Sequence, residues 1–274
     1  MNFKSLYSFS LYSAIVFLLV ACGTPADEND SISTDGPENN VQVQKNNQIQ
    51  KIFATIPSQS ETTTMLEDAG ARYNAKALNP VENLSKYSSV KAKALNLGVY
   101  GIDLGVTNIF DQTQESMLYL RCTNKMATSL GISGAFDENM SSRLEANSEN
   151  KDSLLAIITD SYRTADEYLQ ENGQPGVSTI MVVGAWIEGM YISSQIALET
   201  SNDVIVARIV KEKTTLNDLI ALLESYKAEN EGTEDIIANL KGIKEVFDGI
   251  SENPTLEQFK PLADKVIEVR SKII

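Results

Sequence analysis

The sequence predicts an all-α fold, an antiparallel multi-helix bundle of about seven or eight helices. Three observations predict it. From about residue 60 onward, apolar residues recur at steps of three and four in one stretch after another. Alternating strand patterns are scarce. Helix start and stop signals flank the periodic runs. A helical-repeat arrangement is the alternative architecture, although no unit recurs at a fixed period.

The first long run, "SKYSSVKAKALNLGVYGIDLGVTNIF", is apolar on several faces, which suits a buried central helix. After Asp111, "QTQESMLYLRCTNKMATSLG" carries Met117, Leu120 and Met126, with Gly131 as a stop. Leu154, Ile158, Tyr162, Ala165 and Leu169 form one helical stripe. Asn172-Gly173 closes that helix and Pro175-Gly176 opens the next, "TIMVVGAWIEGMYISSQ". Residues 204–210 suit a strand by composition, but the charged continuation "KEKTTLNDL" favours helix. Leu216, Leu219, Ile220, Leu223 and Tyr226 make a further stripe, with Thr215 as its expected N-cap. Ile236, Leu240, Ile243, Phe247 and Ile250 make another, preceded by Thr233. At the end Thr255 and Gln258 fit a capping box, while Pro261 competes as a first-turn start.

The N-terminus has a different character. Lys4 precedes an apolar run, Leu11 to Ala21, of signal-peptide length and too short to span as a stable helix. The run ends in Leu19-Val20-Ala21-Cys22, which resembles the lipobox of bacterial lipoproteins, cut by signal peptidase II before a cysteine that then carries lipid. The expected organisation is a signal peptide over residues 1–21, lipidated Cys22 with a polar tether over 22–55, and one helical domain over 56–274. Acyl chains such as palmitate on Cys22 would hold the protein on a membrane. Removing Lys4 with the leader takes the net charge from −14 to −15. So acidic a chain is repelled by nucleic acid and by anionic headgroups, so attachment falls to the lipid. The 28 residues 23–50 hold almost no large apolar group and, as flexible coil, span on the order of 30 Å. No later segment has about 18 uninterrupted apolar residues, so no transmembrane helix is expected.

Composition excludes several chemistries. The chain has no histidine, which removes Ser-His-Asp and Cys-His catalysis and every histidine zinc site. With Cys22 lipidated, Cys122 has no intramolecular partner, and a cysteine metal site is gone as well. In its helical setting Cys122 reads as a half-buried thiol. There is no glycine-rich phosphate loop and no basic, aromatic-interleaved patch. No cofactor, metal ligand or catalytic residue is assigned.

Each of the two apolar helices contains one acid. Asp103 sits among Gly98, Gly101 and Gly105, and Glu188 among Gly184, Ala185 and Gly189. Small residues let helices approach closely, and each glycine costs about 1 kcal/mol relative to alanine, so tight packing or a ligand must compensate. Unpaired buried carboxylates are costly, so both acids need partners. The candidates are the Tyr100 and Tyr191 hydroxyls, the Trp186 indole and an arginine such as Arg72. Tyr100, Asp103, Glu188, Tyr191 and Trp186 are therefore the candidate residues of a buried polar network or a pocket. A network would fix helix register. A pocket would suit a sugar or a cation, and a catalytic pair would suit glycoside hydrolysis. Helical spacing puts Glu188, Tyr191 and Gln195 on one face and points Trp186 elsewhere.

"GVYGIDLGVTNIFDQTQESMLYLRCTNKMATSLGI" followed by "GAWIEGMYIS", behind the lipobox and tether, resembles uncharacterised all-helical lipoproteins of Bacteroidota-type bacteria. That resemblance implies an outer-membrane lipoprotein and transfers no catalytic residue. The expected role is a membrane-anchored, non-enzymatic binding or interaction module of the cell envelope with a protein partner. The alternatives are a glycan or other small-molecule binding accessory protein and, third, a carboxylate-based hydrolase.

Overall fold

Ser89 starts the central helix by accepting a hydrogen bond from the Ala92 N–H, a side-chain cap on an otherwise orphaned donor. The structure, a computed structural model, describes residues 65–136, 138–147, 150–227 and 232–274. The leader, Cys22, the tether and residues 56–64 lie outside the described residues.

After a helical turn at 65–68, nine α-helices follow one another among the described residues from Val90 on. They are α1 (Val90–Ile109), α2 (Thr113–Ser129), α3 (Glu138–Ala146), α4 (Lys151–Glu171), α5 (Pro175–Thr200), α6 (Asp203–Lys211), α7 (Lys213–Ser225), α8 (Glu234–Asp248) and α9 (Leu256–Arg270). Short 3₁₀ segments lie at Ala75–Ala77, Val81–Lys86 and Ser133–Phe136, and no strand occurs among the described residues. The all-α bundle is the fold. It has one helix more than expected because Glu138–Ala146 (α3) is helical where the sequence shows no assigned stripe, while Glu212 separates α6 from α7. Residues 204–210 are helical, as the charged continuation favours. Asn202 caps α6 by accepting from the Val204 and Ile205 N–H groups.

Two expected helix starts need adjusting. Thr215 is buried inside α7 and does not cap it, because the helix begins two residues earlier. At α9 the capping box wins over Pro261: Gln258 N–H donates to Thr255 Oγ1, and the Thr255 N–H donates to the Gln258 side chain. Pro261 sits inside the helix. Gly173, at φ 69°, closes α4, and Pro175 opens α5 at the first helical position.

Helices α1 and α5 form the central pair, with α2 and α4 against α1, and α6, α7 and α9 against α5. Glycines permit this closeness. A Cβ on Gly98 would collide with the Met181 carbonyl and the Ala185 nitrogen, and one on Gly184 with the Leu95 carbonyl. Gly101 leaves room for the Tyr162 ring, whose hydroxyl donates to Leu97 O at 2.6 Å. Gly189 differs from the expected packing contact, since nothing lies within 4 Å of a Cβ built there.

Helix α5 is long and apolar enough to cross a membrane, a property the sequence reading did not grant it. Most of it is buried inside the body. Its apolar character serves packing on all sides, as in any central helix.

Candidate functional site

Asp103 on α1 and Glu188 on α5 follow the close contact of Gly98 and Gly184 by five and four residues, and both are fully buried. Their main partner comes from the far end of the chain. Arg270, the last residue of α9, donates from Nε to Glu188 Oε2 at 2.6 Å and from Nη2 to Glu188 Oε1 at 2.7 Å. This two-pronged geometry is the strong form of an arginine–carboxylate pair. Arg270 Nη2 also donates to the Ala77 carbonyl at 2.8 Å, and its guanidinium lies 4.0 Å from the Tyr191 ring centre.

The segment before α1 seals the other side. The Asn79 N–H donates to Asp103 Oδ2 at 3.1 Å. Asn79 is itself buried and binds through its side chain to Tyr87, Asn96 and Asn83. Tyr119 Oη donates to the Asn79 carbonyl at 3.2 Å, and Tyr100 Oη to the Pro80 carbonyl at 3.1 Å. Asn96 Nδ2 donates to Ile273 O at 2.7 Å, tying the C-terminus in as well.

Asp103 Oδ1 receives no hydrogen bond from the described residues. The Glu188 carboxyl lies beside it and is the acceptor that a protonated Asp103 would use. The electrostatics agree. Burial and the neighbouring Glu188 charge push Asp103 well above the usual carboxylate range, while the Asn79 N–H and Arg270 pull it back. Burial raises Glu188 too, and Arg270 opposes that rise. With Asp103 protonated and Glu188 ionised, the cluster of two acids and one guanidinium carries no net charge.

Four of the five candidate residues meet here, although in unequal roles. Asp103 and Glu188 touch each other, Tyr191 stacks on Arg270, and Tyr100 bonds the segment that covers the acids. Trp186 stands apart: its indole N–H donates to Glu212 Oε2 at 3.3 Å, on another side of α5. Neither tyrosine hydroxyl serves as a partner to the acids, and the arginine is Arg270 instead of Arg72. One signal could have revealed Arg270. It falls four residues after Val266 and eight after Leu262, which puts a cation on the apolar stripe of α9. Asn79 gave no such signal, because Asn-Pro reads as an ordinary turn.

Cys122 is buried and unpaired, and burial lifts its thiol to about 11 despite Lys125 nearby. No group of three or more acids or cysteines among the described residues is placed to hold a metal ion. A concave surface lies elsewhere, as an open groove of about 470 Å³ between α7 and α8. Its charged groups largely satisfy one another, Lys241 with Glu224 at 2.6 Å and Lys244 with Asp248 at 2.8 Å. No protein-family model, curated protein or solved structure matches the chain, so no residue role comes from a relative.

Proposed function

We propose that the chain is a lipid-anchored helical lipoprotein of the cell envelope, held on the outer membrane through Cys22, and that it acts as a non-enzymatic binding or interaction module. The observation that carries the non-enzymatic part is the closure of the acid pair. Asp103 and Glu188 have no exposure, and Arg270 occupies both Glu188 oxygens. A general acid or a nucleophile must reach its substrate, and these two do not.

The glycan-binding alternative draws less support. Arg270 covers one face of Tyr191, and Trp186 is 9% exposed, so neither offers a free aromatic face for a sugar. The anchoring part is supported by the Leu19-Val20-Ala21-Cys22 pattern and the polar run after it. Metabolic labelling with a palmitate analogue tests it. Wild type should take up label and fractionate with membranes, and Cys22→Ala should do neither. A wild-type chain without label sinks the anchor. Crosslinking in intact envelopes tests the interaction part. A monomer that recovers no partner there would sink that part.

A further inference from the structure

We propose that residues 73–87 form a strap over the buried acid pair, and that loss of the proton shared by Asp103 and Glu188 lifts this strap from the α1–α5–α9 core. The inference does not depend on membrane anchoring.

The geometry begins with what covers the cluster. Helices α1 and α9 each pack on α5 and wall the two acids with regular structure. The remaining cover is irregular chain with two short 3₁₀ segments. Between residues 71 and 87 only Ala77, Leu78, Asn79 and Tyr87 are buried, and the segment Val81–Lys86 buries none of its residues. Local opening starts where few apolar contacts must break. Gly70, at φ 67° with open space where a Cβ would stand, precedes the strap, and Ser88 joins it to the N-cap of α1.

Two hydrogen bonds couple the strap to the charge state. Asn79 N–H donates to Asp103 Oδ2, and Ala77 O accepts from Arg270 Nη2, the same nitrogen that serves Glu188 Oε1. While Asp103 holds its proton, one guanidinium faces one carboxylate. When that proton leaves for solvent, one guanidinium faces two carboxylates in a site without water access. The second anion competes for Arg270 Nη2 and draws it from Ala77 O. Two like charges in contact and unsolvated are costly, and lifting the strap is the least disruptive way to hydrate them.

The other titratable groups around Asp103 ionise above the range of the experiment below. From the strap these are Tyr73 and Tyr87, from α1 Tyr100, and from α2 Tyr119 and Cys122. From α4 and α5 they are Tyr162 and Tyr191. Burial raises every phenol above its ordinary value of 10.0 and the thiol to about 11, so these groups are mostly neutral below about pH 10. Arg270 is raised as well and stays cationic.

Hydrogen exchange of the full chain, purified in detergent, reads this out, with rates corrected for intrinsic exchange from about pH 5 to about pH 10. The amides of Ala77, Leu78, Asn79 and Asn83, all hydrogen-bonded here, should lose protection by up to about tenfold per pH unit once Asp103 ionises. Amides of α1 and α5 should keep theirs. Asp103→Asn, which retains an acceptor for Asn79 N–H and carries no ionisable proton, should hold the strap at every pH. Glu188→Gln should flatten the response too, because a single carboxylate then faces Arg270. Strap protection that does not vary with pH overturns the proposal. So does loss of protection in α1 and α5 in step with the strap, or a pH response that survives in Asp103→Asn. If Asp103→Asn fails to fold, the Glu188→Gln profile decides: a flat one supports the strap, and a parental one overturns it.

Discussion

Arg270→Met removes the one cation that stands against the acids among the described residues, and its cost follows from the partners left behind. Glu188 is fully buried and loses both of its guanidinium hydrogen bonds. It must then remain as a stranded anion or take up a proton. Protonating a carboxyl of ordinary value 4.5 at pH about 7.5 costs about 1.36 kcal/mol for each of three pH units, or about 4 kcal/mol. The Ala77 carbonyl loses a donor as well, worth about 1 kcal/mol. The expected loss is about 4–5 kcal/mol near neutrality, close to what breaking a buried ion pair costs elsewhere. The pH dependence is diagnostic. In the variant the folded state holds a proton on Glu188 that the unfolded state has released. Stability therefore falls as pH rises from the ordinary carboxylate value to the raised folded one, and lowering the pH to about 5.5 recovers most of the loss. Urea titrations at several pH values measure this, with the m-value checked for constancy. The double variant Glu188→Met with Arg270→Met strands no charge and should recover most of the loss. A single-variant loss under about 1 kcal/mol, or a double variant as unstable as the two singles added, would refute this account of the pair.

The glycines give a matched contrast on one helix. Gly184→Ala drives a methyl into the Leu95 carbonyl and should cost at least about 1–3 kcal/mol. Gly189→Ala meets open space and should stabilise by up to about 1 kcal/mol, so thermal melts should move in opposite directions. Cys122 is buried with its thiol at about 11, so alkylation at mild alkaline pH should be slow and should accelerate on adding denaturant. Rapid modification of the folded protein would contradict that burial.

The fold was legible where one helix face decides burial. The stripes Leu154-Ile158-Tyr162-Ala165-Leu169 and Leu216-Leu219-Ile220-Leu223-Tyr226 are buried throughout, because a 3.6-residue period determines which side chains meet the core. The capping box at Thr255 was legible because the reciprocal bonds are local. Helix α3 was not, since Glu138–Ala146 is short and carries only Met140 and Leu144 as large apolar residues. The site was half legible. Asp103 and Glu188 stand out as acids in apolar helices, and their need for partners follows from solvation alone. The partners lie elsewhere in the chain, 24 residues away for Asn79 and 82 for Arg270. Helical spacing already pointed Trp186 away from Glu188, and its indole binds Glu212 instead.

A core built only for stability would have no use for this cluster. Burial raises both carboxyls, so the fold weakens as the pH climbs past their ordinary values. Apolar side chains of similar volume would carry no such penalty. The cluster adds discrimination. Leucine and isoleucine faces tolerate small slips along a helix axis, whereas Arg270 meets both Glu188 oxygens and Ala77 O in a single register of α5, α9 and the strap. Gly98 against Met181 and Gly184 against Leu95 select the matching register of α1 on α5 by excluding volume. Charge and close approach thus specify the same arrangement independently. On this argument the double methionine variant keeps its stability but loses uniqueness, and its side-chain NMR signals should broaden or multiply. Sharp, single resonances would assign the register to the glycines alone.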